Sequence, residues 1–411
     1  MNNKDFIKFT NSLQTDIDLS LERISSLLDL LYNPQDNLKI IHIAGTNGKG
    51  SVCSFLQSIL TEAGYRTGKF MSPYMVSVSD SISIDNTNIS DTEFEKILSE
   101  INDIIKKNNI LPPSQFEIQV AAVFLYFHRK KVDFVILETG LGGTLDATNI
   151  IKTPVLSVIT IIDIDHKSFL GDTIEEISAH KAGIIKENGK TITTKNNPPD
   201  AIRVIEKFCC QKNNTLIKTK EPKINPPVKT RECFSYLDID NIICGISGSC
   251  QAENACIAIE CALFLGISEE LIKSGIKKAK NPARFEILKE NPTIIFDGAH
   301  NLNGAKALKE SLDKYYGRVK KTYIMAFMKD KEIKEILEVL NDGECYYFTE
   351  VKNNERSTKK EELKELAEKS GIKGKACELS DAIKNSVKSG NLTIICGSLY
   401  LYKDILLAVA F

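Results

Sequence analysis

No stretch of this chain approaches the roughly 20 apolar residues that cross a bilayer, and its polar opening, MNNKDFIKFTNSLQTD, lacks the apolar core of a secretory leader. A cytoplasmic protein with no membrane partner is expected. Charge of one sign is missing as well: Lys and Arg number 53 against 54 Asp and Glu, a formal charge of -1, so no global field draws nucleic acid. A local anion site remains compatible with that balance. The 11 cysteines are odd in number and contain no C-x-x-C pair. Cys53, Cys244, Cys256, Cys261 and Cys396 sit in apolar or helical runs and read as reduced, packed thiols. Five histidines are too dispersed for a zinc-finger spacing. Neither a repeat of fixed period nor a low-complexity tract emerges.

What is present is enough for two cores. At 411 residues the chain exceeds the size at which a single core stops growing, and 42% hydrophobic with 26% charged residues is an ordinary globular balance. Apolar runs bounded by turn residues alternate with helical periodicity throughout, which predicts α/β layering with mainly parallel strands. Leu38 to Gly45 reads as a buried strand. The helix that follows carries Val52, Phe55, Leu56 and Ile59 on one face and stops at Gly64. Val132 to Glu138 and Pro154 to Ile162 are further strands, with a helix from Phe116 to Phe127. The polar stretch from Thr191 to Tyr236, with its NNPPD and PKINPP, reads as irregular peripheral structure of the first domain. Beyond a helix from Glu253 to Leu265 the alternation restarts at PTIIFDGAHN and runs through KTYIMAF, ECYYFTE and LTIICGS to an apolar helix. Pro282 is taken as the hinge between domains 1–281 and 282–411.

Gly45, Thr46, Asn47, Gly48, Lys49, Gly50 and Ser51 follow a strand and open a helix, where backbone N–H groups and a helix N-terminus can surround phosphate oxygens. Lys49 would offer a cation to the outer phosphates and Ser51 a hydroxyl to Mg²⁺. Because Gly50 separates Lys49 from Ser51, the spacing departs from G-x-x-x-x-G-K-[ST], and a bare glycine turn is the blander alternative. Glu138 ends a buried strand, the place where α/β sheets present ligand groups, and can hold the Mg²⁺ that bridges nucleotide phosphates. Taken alone, His166 reads as a loop histidine, Lys181 as a helix-surface lysine and Arg284 as a surface cation. Gln251 and Asn254 could cap the next helix. Asp297 to Asn301 could be a tight turn with a helix cap.

IHIAGTNGKGS, SPYM, ETGLGGTLDATN, DH, LGDTIEEISAHKAGI, PARFE, DGAHN and GSLYL occur in order from Leu19 to the C-terminal helix. Together they resemble the folylpolyglutamate synthase and dihydrofolate synthase family of the Mur ligase superfamily. The resemblance implies an N-terminal P-loop ATPase domain with a mainly parallel sheet, plus a smaller C-terminal Rossmann-like α/β domain, with the active site between them. It implies an ATP-dependent ligase that joins L-glutamate to dihydropteroate or a folate through an acyl phosphate, releasing ADP and phosphate, and that works largely as a monomer. Ser51 and Glu138 would be magnesium ligands, and His166 would serve a second magnesium together with a carbamylated Lys181. Gln251 and Asn254 would meet adenine or its sugar, and Arg284 the phosphates. Asp297 and His300 would meet nucleotide or glutamate, while Ser72, Pro73 and Tyr74 would lie on the pterin side, and Asp146, with Asn149, would shape the glycine-rich loop after Glu138 on the substrate side.

The chain departs from the family pattern at Tyr74 (usually His), Asp80-Ser81 (Glu-Arg), Thr144 (a basic residue), His180 (Glu), Cys250 (His) and Ala283 (Gly). Two other readings stay open at this point: a Mur-type ligase of cell-wall precursors, and a nucleotide-binding regulator in which those substitutions have disabled ligation.

Overall fold

The computed structural model describes residues 20–409; Leu19 and the N-terminal stretch read above lie outside the described residues. Seventeen strands are described, in three sheets. The first eight are β1 (Ile40–Ala44), β2 (Thr67–Phe70), β3 (Ile82–Ile84), β4 (Thr87–Asn88), β5 (Phe134–Glu138), β6 (Leu156–Ile159), β7 (Lys190–Thr193) and β8 (Thr215–Lys218). They form one sheet in the order β4-β3-β2-β5-β1-β6-β7-β8. Pairing is parallel from β2 across to β8, and only the β2-β3-β4 edge is antiparallel. All five residues of β1 and of β5 are buried, as a strand covered on both faces requires.

The helix Lys49–Glu62 follows β1 directly, with Val52, Phe55, Leu56 and Ile59 fully buried. Gly64 ends it in the left-handed region at φ 83°. Against it lies the helix Glu269–Lys278, where a Cβ on Gly275 would stand 2.4 Å from the Ile59 Cα, so only glycine permits this approach. The expected helix around Phe116 to Phe127 runs Gln115–Lys130 and is capped by Ser114 and Glu117 reciprocally.

The stretch from Thr191 to Tyr236 is regular, which corrects the sequence expectation. It holds the end of β7, the helix Pro199–Gln211, β8, and two strands of a second sheet: β9 (Lys223–Val228) and β10 (Arg231–Tyr236), joined by β11 (Ile239–Ile243) in the order β11-β10-β9. Proline normally argues against a strand, but Pro226 and Pro227 sit on the exposed edge strand β9, where one of the two missing N–H groups would face away from the sheet and only one ladder bond is forgone.

The third sheet contains β12 (Glu286–Glu290), β13 (Thr293–Phe296), β14 (Lys321–Met325), β15 (Cys345–Phe348), β16 (Lys375–Ala376) and β17 (Leu392–Cys396), in the order β12-β13-β17-β14-β15-β16. From β13 onward it is parallel, with β12 antiparallel at its edge. By packing, the described residues divide into two units: one of residues 20–223, 236–242 and 253–279, the other of 224–235, 243–252 and 280–409. The second unit has its own apolar core, built on Phe285, Ile295, Leu308, Tyr323, Phe327 and Ile394. All 11 cysteines are free thiols, and the five expected to be packed are buried.

Candidate active site

The loop after β1 is shaped from the opposite strand. Thr46 donates its N–H to the Ile161 carbonyl at 2.8 Å, and its hydroxyl donates to Asp163 O at 2.9 Å. Thr160 donates its hydroxyl to Asn47 O at 2.7 Å. Gly45 has φ 152°, and a Cβ there would fall 1.8 Å from Thr160 Oγ1. Gly48 caps the helix at φ 85°, a conformation that L side chains rarely adopt. The Asn254 amide lies over it, with Oδ1 2.3 Å from where a Cβ would stand, so a residue expected near adenine is seated against the phosphate loop itself.

Two amines converge on one carbonyl. Lys49 Nζ donates to Gly45 O at 3.0 Å and Thr46 O at 3.2 Å, and Lys181 Nζ donates to the same Gly45 O at 2.8 Å. Lys49 Nζ also stands 3.9 Å from Glu138 Oε1. Lys181 is no surface residue: it is 4% exposed, and burial first, then the charge of Lys49, pushes its amine down to about 7 despite Asp165 and Asp146. The Lys49 cation beside a helix N-terminus suits a polyanion.

The donors fit a magnesium ion held jointly with phosphate. Glu138 and Ser51, both nearly buried, offer a carboxylate and a hydroxyl, and the buried Ser72 Oγ has no hydrogen-bond partner. Mg²⁺ prefers such oxygens and completes its shell with phosphate and water. Among the described residues no group of three His, Cys, Asp or Glu side chains could hold a metal ion by itself. His166 adopts φ 53° at the start of the short helix Lys167–Leu170, its Nε2 3.9 Å from Asp165 Oδ2.

The glycine-rich loop after β5 is fixed from beneath. Asp146 accepts from Leu141 N at 2.7 Å, from Thr148 N at 3.0 Å, and from the Thr148 hydroxyl. Having given its proton to Asp146, that hydroxyl accepts from His42 Nε2 at 2.8 Å. The imidazole is thereby the Nε2–H tautomer, and its bare Nδ1 is unpartnered in the core. Burial pushes His42 down to about 3, so it stays neutral. The carboxylate of Asp146 is thus committed to the loop. Thr144 donates both its N–H (2.8 Å) and its hydroxyl (3.0 Å) to His180 O, tying this loop to the residue before Lys181.

In the segment from Ser72 to Tyr74 the Ser72–Pro73 bond is cis, and Tyr74 packs partly buried against the core. Asp80 accepts from Ser77 N at 2.8 Å and from Val76 N at 3.1 Å, while Gln119 donates to Ser81 Oγ at 2.8 Å. The two departures from the family pattern here therefore hold the loop through a neutral network and a cap. Cys250 is exposed and Gln251, 4% exposed, begins the helix Gln251–Phe264.

In the second unit Asp297 directly follows β13 and accepts from Phe285 N at 2.7 Å and Ala299 N at 2.8 Å. Burial raises its carboxyl, and the Arg284 guanidinium opposes that shift. His300 Nδ1 bonds Gly298 O at 2.8 Å, and Asn301 caps the helix Leu302–Tyr316 through Gly304 N at 2.8 Å. Ala283 is buried at φ 62°, a strained conformation for any residue but glycine. Sequence reading passed over Thr160, Thr148 and His42. The signal for His42 was a polar residue inside the apolar run IIHIA.

A strand, phosphate loop and helix on a parallel sheet, followed by a second α/β unit, is the layout of an ATP-dependent ligase of the Mur type. Family models agree: the Mur ligase middle domain matches residues 43–262, and the dihydrofolate synthetase C-terminal domain matches 283–408. The dihydrofolate synthase/folylpolyglutamate synthase of Bacillus subtilis is 35% identical, with 94% of each chain covered. The Mycobacterium tuberculosis folylpolyglutamate synthase structure with ADP and AMPPCP superimposes with a TM-score of 0.87 at 28% identity, covering 95% of this chain and 96% of that one. Escherichia coli FolC in complex with DHPP and ADP does so with a TM-score of 0.89 at 26% identity, covering 100% and 98%. The chain belongs to the dihydrofolate synthase/folylpolyglutamate synthase family, and is an ATP-dependent acid–amino-acid ligase.

Proposed function

We propose that this enzyme adds L-glutamate to dihydropteroate, to a tetrahydrofolate, or to both. The observation that carries the reading is the convergence of Lys49, Lys181 and Glu138 on the phosphate loop. A carboxylate does not acylate an amine unaided, because its oxygen leaves poorly. Its oxygen therefore attacks the terminal phosphorus of ATP, ADP departs, and the amine of glutamate then attacks the acyl phosphate carbon and expels phosphate. Lys49 and the loop N–H groups neutralise charge that spreads over the transferred group. Mg²⁺, when bound through Ser51 and Glu138, supplies further neutralisation there, and His166 with Lys181 would serve a second ion.

Lys181 reacts with CO₂ in this account: its neutral amine forms the N–C bond, loses a proton, and becomes a carbamate able to bind metal, which an ammonium cannot. The lowered amine of Lys181 and its burial support this. A ¹³C-bicarbonate NMR spectrum of the active enzyme without a carbamate signal would contradict it. Gln251, Asn254 and Arg284 serve the nucleotide, and Asp297 and His300 the nucleotide or glutamate. Ser72, Pro73 and Tyr74 serve the pterin side, with Asp146 acting through the loop it shapes. Residues 1–281 and 282–411 are read as the two functional domains, and the enzyme as a cytoplasmic monomer that works on small molecules and binds neither nucleic acid nor membrane. Among the described residues no helix is long and apolar enough to cross a membrane.

Phosphate release tests the reading. With ATP, Mg²⁺ and glutamate, release is expected only when dihydropteroate or tetrahydrofolate is added, and comparing the two acceptors identifies the substrate. Release with neither would sink the proposal.

A further inference from the structure

Lys69 is a charged residue in an inner strand, and the phosphate chemistry above makes no use of it. Strand β2 pairs it with Ile136 of β5, two residues before Glu138. Residues two apart on a strand share a face, so Lys69 and Glu138 project to the same side of the sheet. On that side Lys69 Nζ donates to Ser54 Oγ at 3.4 Å, one helical turn beyond Ser51. Lys69 is 9% exposed, and a single long hydrogen bond is poor compensation for a buried ammonium with three donors. Burial lowers its amine, while the fields of Cys53 and Glu138 act the other way. Glu138 therefore has Lys49 at 3.9 Å and interacts with the charge of a second lysine that projects to the same side of the sheet.

The two lysines differ in freedom. Lys49, at the mouth of the loop, can turn to phosphate when nucleotide arrives. Lys69 is enclosed between strand and helix, and the carboxylate of Glu138 favours its protonated form; in that form its charge acts on Glu138 whether or not nucleotide is bound. A fixed positive charge near a carboxylate steadies that carboxylate and repels a divalent ion approaching it.

We propose that Lys69 is a positioning residue that steadies Glu138 and weakens divalent-ion binding there, so that the ion is held firmly only together with nucleotide phosphates. This rests on the reading of Glu138 and Ser51 as metal ligands. Weak binding without nucleotide also favours loss of the ion once product leaves.

The test is Mn²⁺ binding to the nucleotide-free, full-length enzyme, followed by the electron paramagnetic resonance signal of free Mn²⁺, with thermal unfolding in parallel. Lys69→Met and Lys69→Gln are expected to bind Mn²⁺ at least tenfold more tightly, because removal of one unit charge near a divalent ion at an effective dielectric of about 20 is worth more than a factor of ten. Lys69→Arg, which keeps the charge, should bind as the parent does. A merely structural lysine would move the unfolding temperature and leave the affinity alone. If Lys69→Met and Lys69→Gln bind Mn²⁺ no better than the parent, or Lys69→Arg tightens alongside them, the proposal is overturned. Glu138→Gln separates the two layers: its expected result is loss of Mn²⁺ binding. Retention would refute the metal reading and this proposal with it.

Discussion

Replacing Lys181 with methionine is expected to stabilise the protein while abolishing ligation. The buried amine is pushed from 10.5 to about 7. At about 1.4 kcal/mol per unit, that shift costs the folded state on the order of 4–5 kcal/mol once the group is protonated in both states. Loss of the Nζ to Gly45 O bond returns roughly 1 kcal/mol, leaving a net gain of about 3 kcal/mol near pH 7. The sign with pH follows from proton counts: between about 7 and 10.5 the unfolded chain binds more protons than the folded one. Wild-type stability therefore rises across that window, and the advantage of Lys181→Met shrinks to roughly 1 kcal/mol by about pH 9. Urea unfolding of both proteins at several pH values, in CO₂-free buffer so that the amine stays free, measures this. A stability difference that does not change with pH, or a methionine variant less stable at neutral pH, would refute the reasoning.

Ala283→Gly should raise stability by about 0.5–1 kcal/mol, because glycine adopts the observed φ of 62° without a Cβ penalty, and chemical denaturation would show it. Thr148→Val removes the hydroxyl between His42 Nε2–H and Asp146, leaving a buried donor unpaired. It should cost roughly 1–3 kcal/mol by the same assay, and no loss would mean that the network contributes nothing to holding the loop.

The strand, loop and helix from Ile40 to Glu62 were legible in sequence because every cue there is local: a continuous apolar run, glycines at the turn, then helical spacing of Val52, Phe55, Leu56 and Ile59. Strands β13, β14, β15 and β17 of the third sheet were legible for the same reason, whereas the edge strands β12 and β16 were not. What sequence could not supply was pairing at a distance. Asn254 over Gly48, Lys181 on the Gly45 carbonyl, and His42 beneath Thr148 join residues separated by one hundred positions or more, where periodicity carries no information. The edge strand with Pro226 and Pro227 was missed for a different reason. Proline marks a break only where its N–H would have been needed, and an edge position is known only when the sheet is. Lys181 likewise reads as a surface lysine in its helix, and only the fold shows that it is buried.

ATP is expected to phosphorylate the carboxylate of the acceptor before glutamate attacks. Dihydropteroate or tetrahydrofolate, whichever supports turnover, can be labelled with ¹⁸O in that carboxylate and the released phosphate examined by mass spectrometry. Transfer of one labelled oxygen to phosphate per amide formed is the expected result. Amide formation with unlabelled phosphate would contradict the account.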